Sequence, residues 1–380
     1  MKKIVIITGE PSGDLLGARL MQALQRKSPE EIIFSGVGGD RMLTAGLVSL
    51  FPQKDLSVFG LFELLPKLFK IWKRLNQTVS YIKRERPDLV ITIDSPDFVF
   101  RVGEKLKGSG IPIIHYVAPS VWAWRPGRAI KVAGFLTHLL ALFPFEPPYF
   151  TKEGLPCTFV GHPLVENGID QADVAAFTDE YNISENDVLL TVLPGSRTSE
   201  VTRLLPIFEQ TVRNLHEQIP MLKVMIPTVP HVAHKVREAT SNWPIPVFIT
   251  ENEAVKYAAF KASRAALCAS GTVTLECALA ELPMVVAYRL SWITVLMYFW
   301  LFKTKFFSLA NILLGREVVP ERLQHKCTPE ILTADLLPLL RGEQPAVQQK
   351  RDLALIAPML QSGSQSPSEA AADTVLSYLT

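Results

Sequence analysis

The sequence predicts an α/β protein of two similar lobes, each a parallel sheet with helices on both faces. Three observations carry this. The chain opens on an apolar strand, Ile4–Thr8, a small-residue turn, Gly9–Asp14, and a helix from Leu15 to Gln25. The same device recurs roughly half a chain later, as strand Val188–Leu193, turn Pro194-Gly195-Ser196 and a helix opening at Thr198–Glu200. Elsewhere short apolar runs alternate with helical segments, the pattern of buried parallel strands and their crossovers. At 380 residues the chain is long for one hydrophobic core, which makes two domains the expectation. Ligands of such sheets bind at the carboxyl ends of the strands, here in the cleft between lobes.

Composition narrows the class. A 48% hydrophobic and 20% charged chain has ample core for a globular protein. A net charge of +2 argues against a general nucleic-acid binder. Cys157, Cys268, Cys277 and Cys327 show no CxxC spacing and read as free thiols of a reducing compartment. The start, MKKIVIITGEPSGD, has too short an apolar run before Glu10 and Asp14 for a secretory leader, and fits a first strand better.

In the first lobe, Glu31–Val37, Leu89–Ile93, Ile111–Val117 and Leu139–Phe143 read as further strands. The cluster Gly36-Val37-Gly38-Gly39-Asp40 reads as a βα turn. Asp94 stands at a strand's carboxyl end, with Pro96 and Asp97 following. Either carboxylate could take a proton from a substrate hydroxyl. The alternative is that Asp97 caps the next helix and Asp94 orders the loop. Glu10 and Ser12 in the first turn, His115, and Trp124 in the run Tyr116–Arg125 are further cleft candidates. For the histidine and the tryptophans, structural and packing roles compete.

Val58–Leu75 stands apart. Leu65, Leu68, Phe69, Trp72 and Leu75 recur on one helical face, with Phe59, Leu61, Phe62 and Leu64 before them. Lys67, Lys70, Lys73 and Arg74 fill the remainder. Basic amphipathic helices with Trp and Phe on the apolar side lie in membrane interfaces, and Phe62, Leu65, Lys67, Phe69, Lys70, Trp72 and Lys73 are the expected lipid contacts. A core-facing helix with solvated lysines is the alternative.

The lobes divide near Phe159–Ile169, with Gly161-His162-Pro163-Leu164 as hinge and Asp170–Asn186 as a polar connecting helix. The expected domains are therefore 1–165, 166–340, and a helical tail 341–380 that packs across the lobes or onto a partner chain. In the second lobe, Gly195 allows close backbone approach, the helix start offers N–H groups to an anion, and Arg197 adds a fork suited to phosphate. An ordinary turn with a solvated arginine is the other reading. Lys223–Ile226, Val247–Ile249, Ala265–Cys268 and Met284–Tyr288 are the remaining strands. Ser270-Gly271-Thr272 repeats the turn, and Glu276 one turn on could hold both ribose hydroxyls or simply favour the helix dipole. His231 and His234 read as solvated, and no metal is expected. Leu290–Phe302 is too short to span a bilayer and reads as a buried or interfacial helix. Asn311 in the following segment completes the set of cleft candidates.

These residues resemble the lipid-A-disaccharide synthase family of bacterial glycosyltransferases nearly end to end. The likeness rests on Gly9–Asp14, Ile93–Phe98, His115–Arg125, Leu193–Arg197, and Ala269–Thr272 with Glu276. One departure is Pro11, where the family pattern has Ala. The resemblance implies a GT-B fold, two Rossmann-like lobes with the active site in the interlobe cleft. It implies an inverting transfer from UDP-2,3-diacylglucosamine to the 6-hydroxyl of 2,3-diacylglucosamine 1-phosphate (lipid X), giving a β-1,6 disaccharide and UDP. Asp94 or Asp97 would be the base, while Gly195, Ser196, Arg197, Ser270, Gly271, Thr272, Glu276 and Asn311 would hold UDP. No cofactor is implied, since the UDP-sugar is a substrate. A cytoplasmic protein peripheral on the inner membrane, and a homodimer through the C-terminal segments, are further implications. The rivals are a MurG-like transferase, a UDP-GlcNAc epimerase, and a non-enzymatic two-lobed protein that binds nucleotide or lipid.

Overall fold

The computed structural model describes residues 1–56, 64–124, 126–289 and 304–379, with backbone only for 64–68. It divides into two units, Met1–Glu166 with Leu360–Thr380, and Asn167–Met359. The tail expected as a separate stretch, 341–380, is thus split between the two.

The first unit runs β1 (Lys2–Thr8), α1 (Pro11–Lys27), β2 (Ile32–Val37), α2 (Asp40–Thr44), β3 (Val48–Ser49), α3 (Leu64–Glu85), β4 (Leu89–Ile93), α4 (Pro96–Leu106), β5 (Ile113–Tyr116), α5 (Arg128–Ala133), β6 (His138–Ala141), α6 (Pro148–Thr151) and β7 (Cys157–Phe159). Among the described residues its strands form one parallel sheet in the order β3-β2-β1-β4-β5-β6-β7. β4 is buried along its whole length, as its unbroken apolar run requires. Helix α1 starts earlier than expected, because Pro11 occupies its first turn without needing an N–H partner. That shift places Asp14 inside the helix, where its carboxylate accepts the N–H groups of Gly39 (2.8 Å), Arg41 (3.1 Å) and Met42 (3.1 Å) at the start of α2. A Cβ at Gly39 would collide with that carboxylate, which accounts for the glycine cluster. The last helix, Pro367–Leu376, packs on α1, with Lys27 paired to Asp373 at 2.7 Å.

The second unit runs α7 (Val174–Glu180), β8 (Val188–Leu193), α8 (Thr198–Gln218), β9 (Leu222–Pro227), α9 (Pro230–Thr240), β10 (Val247–Thr250), α10 (Glu253–Ala262), β11 (Ala265–Cys268), α11 (Val273–Leu279), β12 (Met284–Tyr288) and β13 (Glu321–Leu323), then helices Leu309–Leu314 (before β13), Pro329–Leu340, Gln344–Leu353 and Ile356–Met359. Its sheet, again parallel, has the order β10-β9-β8-β11-β12-β13. Leu204, Leu205 and Phe208 of α8 seal one face against Leu190 and Val192. The connecting helix expected over Asp170–Asn186 is only α7, capped by Asp173 accepting the Ala176 N–H at 2.9 Å. The short edge strand β13 carries no sequence pattern of its own and was not anticipated. All four cysteines are free thiols, three of them buried.

Both sheets share the order 3-2-1-4-5-6 in their own numbering, and the first adds a seventh strand beyond the sixth. The chain runs outward in one direction from the first strand and in the other from the fourth. Their adjacent carboxyl ends, β1 beside β4 and β8 beside β11, are the switch points at which α/β sheets bind ligands.

Several titratable groups are buried in the first unit. Burial lowers the pKa of His115 to about 3 and of His162 to about 4, and lowers that of His138, which bridges Tyr378 and Thr158. Burial raises Glu146 to about 7, although Leu142, Phe143 and the Trp122 indole all donate to it. Below the ordinary histidine value of 6.5 the unfolded chain takes up protons that the folded histidines refuse. Their contribution to stability is therefore present above that pH and lost as pH falls. Glu146 has the opposite sign: its contribution is present below the ordinary carboxyl value of 4.5 and lost as pH rises through about 7. The histidines outnumber it, so unfolding free energy should fall between pH 7 and pH 5 by about 1.4 kcal/mol per pH unit for each uncompensated proton, and Tm with it. Glu146→Gln should steepen the fall. A Tm flat across this range, measured by scanning calorimetry, contradicts this balance.

Candidate functional site

At the switch point of the first sheet, Ile7 and Thr8 pair with Thr92 and Ile93. The turns that follow are laced together: the Gly9 N–H donates to Ser95 Oγ at 3.0 Å, and Ser12 Oγ donates to Asp94 Oδ2 at 3.3 Å. Asp94 and Ser95 both sit in the left-handed region, each at φ 48°, and Val117 on the neighbouring strand end has φ 84°. The Asp94 N–H donates to the Tyr116 carbonyl at 3.0 Å, which ties two of these strained points together. Such conformations cost roughly 1–3 kcal/mol each and persist where the surroundings impose them, commonly at functional sites. Asp94 is half-buried and oriented by Ser12.

Asp97 differs. It lies in the first turn of α4, its side chain 97% exposed and 3.9 Å from Arg128. His115 is buried beneath the site: Thr92 Oγ1 lies 2.8 Å from its Nδ1 and Phe100 packs on its ring. Held neutral by that burial, it is a structural member of the sheet. Trp124 lies under the Arg128 guanidinium, 5.0 Å from the ring. Trp122 reaches inward to Glu146 at 3.2 Å. Glu10 is exposed, and its carbonyl accepts from Gln53 Nε2 at 3.0 Å.

In the second unit β8 and β11 lie side by side, with the Ala269 N–H donating to the Leu193 carbonyl at 2.8 Å. The turns Gly195–Arg197 and Ser270–Thr272 therefore leave the sheet together. Gly195 has φ 103°, a conformation glycine adopts without strain. The N–H groups expected to be free are engaged by the chain itself. Glu200 Oε2 accepts from the Ser196 N–H at 3.1 Å and the Arg197 N–H at 3.2 Å, while Oε1 accepts from Arg197 Nη1 at 2.8 Å and Tyr288 Oη at 3.0 Å. Arg197 nevertheless keeps 75% of its side chain exposed. His231 is exposed, as expected, and its Nε2 lies 2.7 Å from the Ser196 carbonyl. The spacing of Arg197 and Glu200 at helix start and third position is a readable capping signal. The Tyr288 contact has no signal in sequence.

Ser270 Oγ donates to the Phe307 carbonyl at 3.0 Å. Gly271 is exposed at φ 155° with open space over its Cα, and Thr272 is exposed beside it. Glu276 is held by Lys256 Nζ at 2.8 Å and Tyr257 Oη at 3.1 Å, both on Oε1. Asn167 Nδ2 in turn donates to Tyr257 Oη at 2.9 Å. Oε2 has no hydrogen-bond partner among the described residues. Asn311 is a correction. It is wholly buried, its Nδ2 donates to Val319 O (2.9 Å) and Glu321 Oε1 (2.8 Å), and its Oδ1 accepts from Val318 (2.7 Å) and Val319 (3.0 Å). Every bonding position is used, so it braces the loop before β13 and leaves nothing for a ligand.

On α3, Phe69 is 69% and Trp72 58% exposed, with ring centroids 6.2 Å apart. Lys73 is exposed as expected. Lys70 is not a free cation: with Arg74 it clamps the buried Asp55 carboxylate at 2.5 and 2.6 Å. Phe62 and the segment 290–303 lie outside the described residues, as do the side chains of Leu65 and Lys67. Among the described residues no helix is long and apolar enough to cross a membrane.

The family described as lipid-A-disaccharide synthetase matches residues 4–375. The chain belongs to the lipid-A-disaccharide synthase family. Relatives bearing that family's name include one from Rhodospirillum centenum, 51% identical over 99% of this chain and 94% of its own. Another, from Granulibacter bethesdensis, is 44% identical over 99% of this chain and 98% of its own. Membership makes the protein a glycosyltransferase of lipid A biosynthesis, as its motifs implied. Solved structures of similar fold include a Staphylococcus aureus MnaA–UDP co-structure (TM-score 0.68, 17% identity, covering 100% of this chain and 97% of the other). Acinetobacter baumannii MurG is a second (0.58, 15%, covering 99% and 100%). At these identities the likeness shows the fold, which is the expected GT-B arrangement of two Rossmann-like sheets.

Asn311→Ala should lower stability by roughly 2–4 kcal/mol, since it strands buried backbone N–H groups and the Glu321 carboxylate. UDP affinity of the folded protein should be unchanged. Lost affinity at unchanged stability, by denaturant titration and calorimetry, would return Asn311 to the ligand.

Proposed function

We propose that this protein joins UDP-2,3-diacylglucosamine to the 6-hydroxyl of 2,3-diacylglucosamine 1-phosphate, releasing UDP and forming a β-1,6 disaccharide 1-phosphate with inversion. The observation that carries the assignment of roles is Asp94: a half-buried carboxylate at a sheet's switch point, on strained backbone, oriented by Ser12. In this reading Asp94 takes the proton from the acceptor hydroxyl as the new bond forms, a role for a positioned base. Asp97, almost fully solvated, is the weaker choice. In the second unit Arg197 and the Ser270–Thr272 turn receive the diphosphate, where charge develops as UDP departs. Glu276 receives the ribose through Oε2, its other oxygen being held by Lys256. No cofactor enters this scheme.

Both substrates carry acyl chains. The exposed Phe69–Trp72 pair on α3, with Lys73 beside it, suits an anionic lipid surface from which those substrates are drawn. The proposed location is accordingly the cytoplasmic face of the inner membrane.

Labelled lipid X with UDP-diacylglucosamine tests the reaction, because only this reading yields a disaccharide. Asp94→Asn should reduce turnover by roughly 100-fold to 10,000-fold with UDP binding nearly intact. Unchanged turnover removes Asp94 as the base. Replacing Phe69 and Trp72 with Ser should release the protein from anionic vesicles in a sedimentation assay; undiminished sedimentation would dismiss α3 as the lipid contact.

A further inference from the structure

The carboxylate of Glu200 sits on the amides of the turn that opens α8. It is buried, and four donors converge on it: the N–H groups of Ser196 and Arg197, the Arg197 guanidinium and the Tyr288 hydroxyl. The turn is shaped around this contact. Gly195 is left-handed, and a Cβ there would strike the Glu200 side chain. On the other side of the turn His231 holds the Ser196 carbonyl. Each amide has one hydrogen, so a phosphate oxygen that takes it must displace Oε2.

We propose that Glu200 is an internal competitor for the donor's diphosphate, seated on the turn's amides when the site is empty and yielding them when UDP enters. This rests on the assignment of the UDP phosphates to the Gly195–Arg197 turn. Oε1 stays with Arg197 and Tyr288 during the exchange, and burial keeps the Tyr288 hydroxyl protonated as a donor, its pKa pushed up to about 12. Oε2 alone changes partners. The empty turn thus keeps its binding shape, and the carboxylate weakens the hold on the diphosphate, which favours release of product UDP. A negative group beside a dianion repels it, and the amides it covers must be won back.

Glu200→Gln keeps the shape of the side chain and removes its charge. Calorimetric titration of the full-length variant with UDP should give a Kd roughly fivefold to tenfold below wild type, with uridine affinity unchanged. A purely structural cap would weaken both ligands or neither. Tyr288→Phe, which loosens one tether of Oε1, should tighten UDP in the same direction by a smaller factor and keeps the proposal testable if Glu200→Gln fails to fold. Equal or weaker UDP binding in Glu200→Gln, or in Tyr288→Phe where only that variant folds, overturns the competitor role. Arg197→Ala separates the two levels. If it leaves UDP affinity intact, the phosphates lie elsewhere and the underlying site assignment fails as well. If it weakens UDP while Glu200→Gln does not strengthen it, only the competitor role is lost.

Discussion

Reversal of winding direction at one point in each parallel sheet is the constraint on which the rest depends. A strand at that point has its following loop turning one way while its neighbour's turns the other. No connection passes over the pair, and their carboxyl ends stay open. In the first unit this brings Ser12 onto Asp94. In the second it sets Gly195–Arg197 beside Ser270–Thr272. None of these residues needs strained packing of the core to meet, because the strand register already aligns Thr8 with Ile93 and Leu193 with Cys268. The strain at Asp94, Ser95 and Val117 lies at the loop edge where a side chain must be aimed.

A second theme is the chain's use of its own carboxylates to occupy amide clusters. Asp14 covers the start of α2, Glu200 the start of α8, and Glu321 the N–H groups of Phe307 and Ser308. Each satisfies helix-start donors that would otherwise be stranded. Glycine-rich turns therefore carry two meanings in one sequence: room for a ligand, or room for an acidic side chain of the same chain. Gly39 belongs to the second class. Gly271, exposed with no described atom near its Cβ direction, leaves room of the first kind, the one the proposed diphosphate contact uses. Gly195 makes room for Glu200.

Asn311 and Lys70 show how folding claims polar side chains whose partners the sequence does not reveal. Both are polar residues in segments that otherwise point to ligand or lipid. Asn311 is consumed by Val318, Val319 and Glu321, and Lys70 by Asp55. The partners are local in space but set by how the loop before β13 and the turn before α3 fold back. No periodicity reports that. His231 is exposed, as expected, and its ring also reaches the Ser196 carbonyl, a contact that the sequence does not signal.

Sequence alone determined the class of the molecule. Continuous apolar strands, small-residue turns and amphipathic helices leave a parallel two-sheet α/β fold as the arrangement that buries them, and the motifs at the strand ends carried the family. It also placed Asp94, Arg197 and Glu276 just beyond the carboxyl ends of β4, β8 and β11. Tertiary structure decided which donors and acceptors are already spent. Hydrogen-bonding capacity is finite and is claimed by whatever folding brings within about 3 Å. The exposure of Arg197, the Glu276 oxygen without a partner among the described residues and the self-occupied turn under Glu200 are properties of that three-dimensional accounting, and no linear pattern encodes them.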